Sequence, residues 1–208
     1  TFAAGDFEIQ TQLVDGTEVT VAADRQYDTS YRKELFENSF TVFRYIKSLF
    51  GGKCPATHLS VFAKPQGEHE WQSYNENGLS QGEAVPDMRS AMYQFSHRVF
   101  HTFNGFYPCG MDIKPTWFME GVNEYYNAMA MLRTKTEPPF KSLSDFYFNE
   151  YKKKHAALDA SLKGDTRHPG FWEKEHFLAY KKGALAGLLL DLEIRRATKG
   201  AKSLGHLL

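Results

Sequence analysis

Polar and apolar residues alternate through Phe7-Glu8-Ile9-Gln10-Thr11-Gln12-Leu13, which predicts a strand with one buried face. Asp15-Gly16 then marks a turn, and residues 17–21 return to strand-like composition. The period changes near Thr29. Leu35, Phe36, Phe40, Phe43, Ile46, Leu49 and Phe50 recur at helical spacing, which predicts a helix over 29–50 that ends at Gly51-Gly52. Residues 58–63 and 68–74 read as two more strands, split by Pro65-Gln66-Gly67.

The texture turns helical from Pro86. Asp87 is a candidate cap for a helix over 88–103. A loop with Gly105, Pro108, Gly110 and Pro115 leads to a second helix over 116–132. Glu137-Pro138-Pro139 breaks the pattern, residues 143–158 read as helix and 165–170 as loop. Residues 171–198 read as one long helix or two, with a bend at Gly183. Strands first and helices after predict an α+β chain. A strand-rich lobe (1–86) would lie beside a helical lobe (87–208) within a single unit, and a cleft between them is a natural place for a site.

Composition narrows the function classes. The 25 basic and 25 acidic side chains cancel, which argues against a nucleic-acid surface. The densest basic stretch, Lys152 to Lys154, is short and reads as a solvated helix face. The longest apolar run, Ala184 to Leu190, is too short to span a bilayer. Cys54 and Cys109 are too few for a disulfide scaffold and lack the spacing of a cysteine zinc site. The opening Thr-Phe-Ala-Ala-Gly reads as the interior of a longer protein.

The chemistry concentrates in His97-Arg98-Val99-Phe100-His101. Histidines at i and i+4 share one helix face, so both imidazoles can converge on one ion. A catalytic zinc takes three protein ligands and leaves a position for water, so a third ligand is needed. Glu120, on the next predicted helix, is eighteen residues beyond His101.

This spacing, followed by Glu-Gly-x-x-x-Tyr, resembles the gluzincin aminopeptidases: the aminopeptidase N group, the leukotriene hydrolases and, nearest in character, the glycyl aminopeptidases. Phe95-Ser96-His97 through His101-Thr102-Phe103-Asn104 is similar to the metal helix of the glycyl enzymes, and Trp117-Phe118-Met119-Glu120-Gly121 to their third-ligand segment. Tyr180-Lys181-Lys182-Gly183-Ala184-Leu185, residues 188–195, Thr198-Lys199-Gly200 and Ser203-Leu204 resemble a later helix of the same family. The resemblance covers roughly residues 88–204. It implies a thermolysin-like domain in which His97, His101 and Glu120 bind zinc and Tyr180 hydrogen-bonds the tetrahedral oxyanion. Asn75-Glu76-Asn77-Gly78 has a fainter likeness to the strand whose glutamate holds a substrate's free amine; that role for Glu76 competes with an ordinary Asn-Gly turn, which is preferred.

One position departs from the family. The residue after the first histidine should be a glutamate that takes a proton from the metal-bound water, and here it is Arg98. Arginine stays protonated and cannot be that base. Three explanations compete. The domain keeps the fold for binding a protein partner and hydrolyses poorly; another carboxylate, Glu124 being nearest, acts as base; or Arg98 anchors an anionic group of an unusual substrate. The first is preferred, because a relocated base must still reach the water. Zinc binding and its loss are both open. If the domain is active, its partner is a peptide or protein N-terminus. Tyr93, Phe95, Phe100, Phe103, Phe106 and Trp117 read as packing around the metal helix, and His155, His168, His176 and His206, which show no partner spacing, as surface or core histidines rather than ligands.

Overall fold

A computed structural model of the 208-residue chain describes residues 5–52, 57–64, 71–75, 78–84, 87–104, 116–136, 180 and 183–207. The expected strand residues 68–70, the helix over 143–158, the loop over 165–170 and residues 171–179 lie outside them.

Strands β1 (Phe7–Val14) and β2 (Thr17–Asp24) form the hairpin that the Asp15-Gly16 pair predicts. Val14 pairs with Thr17, and both turn residues have positive φ, 47° at Asp15 and 88° at Gly16. That left-handed pair matches the twist of the strands, and a glycine adopts it without penalty. The chain then enters α1 (Thr29–Leu49), where Asp28 caps the first turn by accepting from the Tyr31 N–H at 2.7 Å. The helix closes where the glycine pair predicts: the Gly52 N–H returns to the Lys47 carbonyl at 3.0 Å, with Gly51 and Gly52 at positive φ.

Helix α1 is a crossover. It returns the chain to β3 (His58–Lys64), which runs parallel to β2. Strands β4 (Trp71–Asn75) and β5 (Gly78–Ala84) are antiparallel, Asn75 facing Gly78, and β5 inserts beside β3. The sheet order is β1-β2-β3-β5-β4. The sequence pattern did not mark β5. Its residues, Gly-Leu-Ser-Gln-Gly-Glu-Ala, contain no β-branched side chain and no clean alternation. Asn75 pairs with Gly78, and Glu76 and Asn77 between them lie outside the described residues.

The helical part holds α2 (Met88–Asn104), α3 (Thr116–Arg133), α4 (Gly183–Ala197) and a final 3-10 turn at Leu204–Leu207. One apolar core runs through the whole assembly. Val19, Val21, Leu59 and Val61 of the sheet meet Phe36, Phe40, Phe43 and Ile46 of α1, and the cluster continues into Phe95, Val99 and Phe100 of α2 and Val122 and Tyr126 of α3. Each fully buried large side chain contributes about 1.5–3 kcal/mol. Phe50 stacks on Phe103 at 5.0 Å and meets Phe100 edge-on at 5.3 Å, which fixes α2 against the end of α1. Helix α4 packs on the other side of α3. Gly187 permits the approach, since a Cβ there would lie 3.2 Å from Tyr125 Cβ. Asp191 locks the contact, accepting from the Tyr125 hydroxyl at 2.8 Å, Arg195 Nε at 2.7 Å and the Leu204 N–H at 2.6 Å.

Candidate metal centre

Asp87 starts α2 as expected, accepting from the Ser90 N–H at 2.8 Å. The apolar stripe Met92, Phe95, Val99 and Phe103 joins the core. That anchoring turns a second stripe, Tyr93, His97 and His101, away from it, one residue per turn. Helix α3 presents a matching stripe: Glu120, Asn123, Glu124 and Asn127 are all buried.

The two stripes bring together the three ligand types read from the sequence. His97 Nε2 and His101 Nε2 are 3.1 Å apart, His101 Nε2 is 3.2 Å from Glu120 Oε2, and His97 Nε2 is 3.6 Å from the same oxygen. Two imidazole nitrogens and a carboxylate oxygen this close suit a shared proton or a shared cation. A tetrahedral ion with bonds of about 2.0–2.1 Å requires ligand atoms about 3.3–3.4 Å apart, which is the mean spacing of this triangle. His97, His101 and Glu120 can therefore hold a metal ion, and the donor set of two imidazoles and one carboxylate suits zinc.

Tyr180 joins them. Its ring lies parallel to that of His97, 5.9 Å between centroids with 7° between planes, and its hydroxyl donates to Glu120. Burial, that hydrogen bond and the charges of Glu120 and Glu124 push the hydroxyl well above the usual tyrosine range, while Arg98 opposes them. The group stays a protonated donor at neutral pH. Burial alone would raise the Glu120 carboxyl. The hydrogen bond and charge of His101, with the Tyr180 hydroxyl and His97, outweigh it and leave Glu120 below the ordinary carboxylate value.

Glu124 sits on the other side of His97. Its Oε1 is 3.3 Å from His97 Nδ1, the nitrogen that faces away from the triad, and it accepts from the Tyr93 hydroxyl at 2.7 Å. The contact to Nδ1 is close but not aligned as a hydrogen bond, and Nδ1 has no other partner among the described residues. A carboxylate that accepts from the far nitrogen of an imidazole fixes its tautomer and its ring orientation, and Glu124 stands close to that position. Arg98 is half-buried on α2 beside His97, and its charge reaches the Tyr180 hydroxyl.

Several features differ from the sequence reading. Tyr93 was expected only to pack; it also stacks on His97 at 6.1 Å and holds Glu124. Its position one turn before His97 was the signal for this. Phe95, Phe100 and Phe103 do pack in the core. The side chains of Phe106 and Trp117 lie outside the described residues. Asn123, whose amide donates to the His97 carbonyl at 3.0 Å, and Ser96, whose hydroxyl bonds Asn127, were not singled out. For Asn123 the signal was a polar residue on every turn of the α3 stripe that continues from Glu120; Ser96 lies on α2 and carried no such signal. His206 is exposed, with its Nδ1 3.0 Å from the Ser203 hydroxyl.

Neither family models nor curated protein sequences match this chain. Solved structures do. An aminopeptidase N family protein from Idiomarina loihiensis superposes with a TM-score of 0.60 at 16% identity, covering 98% of this chain and 40% of its own. A mutant of a two-domain M1 zinc metallopeptidase, bound to L-arginine, gives 0.51 at 16% identity, covering 94% of this chain and 43% of its own. The chain thus spans about two-fifths of the length of these neighbours. No described helix is long and apolar enough to cross a membrane. At this identity the likeness establishes the fold: an α+β architecture shared with part of the aminopeptidase N and M1 metallopeptidase structures.

Proposed function

We propose that this chain is a gluzincin-type, thermolysin-like aminopeptidase domain that binds zinc through His97, His101 and Glu120 and hydrolyses peptides poorly or not at all. The observation that carries the reading is the convergence of three ligand atoms within 3.1–3.6 Å from two helices. The shared fold supports it, as does Tyr180 stacked over His97.

When bound, zinc would supply Lewis acidity toward a carbonyl and acidify a water molecule. The chain's own residues decide how far that chemistry can proceed. Tyr180 offers a protonated hydroxyl beside the triad, suited to donate to a developing oxyanion. Arg98 stands where a proton acceptor is needed and cannot accept a proton. Glu124 is a poor substitute, because its carboxylate faces the back of His97 and is engaged by Tyr93. We assign it to orienting His97. With the base missing, recognition of a peptide or protein N-terminus remains as the use of the cleft, with Arg98 as a contact to an anionic group.

The test is metal analysis of the purified protein with aminopeptidase assays on native chain and Arg98→Glu, each with and without added zinc. Zinc should bind near one equivalent. Zinc-dependent hydrolysis should emerge in Arg98→Glu at roughly 10²-fold or more above native, the scale of a general base. Robust zinc-dependent cleavage by the native protein overturns the impaired reading, and failure to bind zinc overturns the metal site.

A further inference from the structure

Three residues of α3 hold His97 at three different atoms. Glu120 Oε2 lies 3.6 Å from its Nε2, and Glu124 Oε1 lies 3.3 Å from its Nδ1. The Asn123 side-chain amide donates to its main-chain carbonyl at 3.0 Å. The two carboxylates constrain the imidazole. The amide constrains the backbone from which the imidazole hangs. In an α-helix the carbonyl of residue 97 points toward the N–H of residue 101, so Asn123 holds the turn that joins the two histidines.

We propose that Asn123 is a positioning residue for the metal centre. It sets the height and rotation of the His97–His101 turn of α2 against Glu120 of α3. The inference rests on the reading of the triad as a metal site. Glu120 and Asn123 share one turn of one helix, so the amide that holds α2 and the carboxylate that completes the triad move as a unit. Metal coordination tolerates displacements of only about 0.2 Å, so a small slide of α2 is enough to spoil the triangle. The folding cost of losing the amide is modest by comparison, because the hydrogen bonds of α2 still satisfy the His97 carbonyl.

Asn127 supplies the control. It lies one turn further along the same buried stripe, and its side chain takes the Ser96 hydroxyl instead of a ligand residue. It shares the burial and polarity of Asn123 without the hold on His97.

Native protein, Asn123→Leu and Asn127→Leu would be titrated with Co(II), followed by visible absorption of the bound ion, and with Zn(II) against a chelating indicator. Circular dichroism and urea midpoints establish that each variant is folded. Asn123→Leu should weaken both ions by about 10–100-fold, the range for residues that orient metal ligands. Asn127→Leu should lose at least as much stability yet bind within a few-fold of native. Native-like affinity in Asn123→Leu overturns the inference, and so does equal weakening in both variants, which would reduce Asn123 to general packing. A native chain that binds neither ion removes the metal reading and this inference together, an outcome distinct from a metal-binding native chain matched by Asn123→Leu. Should Asn123→Leu fail to fold, Asn123→Ala carries the same comparison.

Discussion

Buried charge is handled differently in the two halves of the molecule. On the sheet side the buried charges among the described residues, Lys47, Arg32 and Asp24, are answered mainly by the main chain, Asp24 by accepting from the Gln26 N–H at 2.9 Å. Lys47 Nζ donates to the carbonyls of Val14 and Asp15 and to the Thr17 hydroxyl at 2.8–3.1 Å, closing over the β1–β2 turn. Arg32 ties the carbonyls of Tyr27 and Arg25 to Glu8. The rest of the core between α1 and the sheet is mainly hydrocarbon. On the helical side the buried charges are carboxylates. Glu120 and Glu124 face imidazoles and phenols on other elements. A charge answered by fixed main-chain dipoles has a structural task only. A carboxylate shared between two imidazoles retains capacity for a cation, and that marks the site.

Asp191 tests the rule from within the helical half. It is also a buried carboxylate, yet its partners are an arginine, a main-chain N–H and a tyrosine, with no imidazole among them. It belongs with Lys47 as a lock.

Three substitutions can break or sharpen this contrast. The largest effect is expected from Phe40→Ala, in the apolar half. It should cost about 3–5 kcal/mol in urea denaturation, with the metal affinity of the folded protein unchanged. A change in metal affinity would mean that the halves are not separable.

Asp191→Asn should cost about 1.5–3 kcal/mol at neutral pH, as expected for hydrogen bonds to a charged group. Its pH dependence carries a sign. Burial raises the Asp191 carboxyl, but hydrogen bonds from Arg195, the Leu204 N–H and Tyr125 outweigh it and hold the group below its ordinary 3.8. The native group is therefore the stronger acid, and its stabilisation is complete well above pH 3.8 and fades as pH falls through the lowered native value. The gap between native and variant stability should narrow on acidification. A gap that stays constant or widens toward low pH contradicts the lock.

The smallest effect on folding is expected from Glu124→Gln. It should weaken zinc by about 10–100-fold, read by chelator competition, while the urea midpoint moves little. Unchanged zinc affinity would make Glu124 a candidate base again.

Much of this was legible in the chain because it depends on local geometry. Asp15-Gly16 specifies a tight turn through φ alone, Gly51-Gly52 a helix end, and the spacing of His97 and His101 a shared helix face. Glu120 was found by its distance along the chain, together with a family resemblance. The unmarked parts depend on contacts between distant segments. Strand β5 forms because β3 and β4 offer edges on either side, not because Gly-Leu-Ser-Gln-Gly-Glu-Ala prefers to be extended. Whether Glu124 faces the front or the back of His97, and whether Asn123 reaches the His97 carbonyl, depends on how α3 is rotated against α2. The sequence by itself supplied the ligand types, their spacing along two helices and the arginine among them. Only the tertiary structure decided which nitrogen each carboxylate faces, because the apolar faces of both helices, buried against α1, set that rotation.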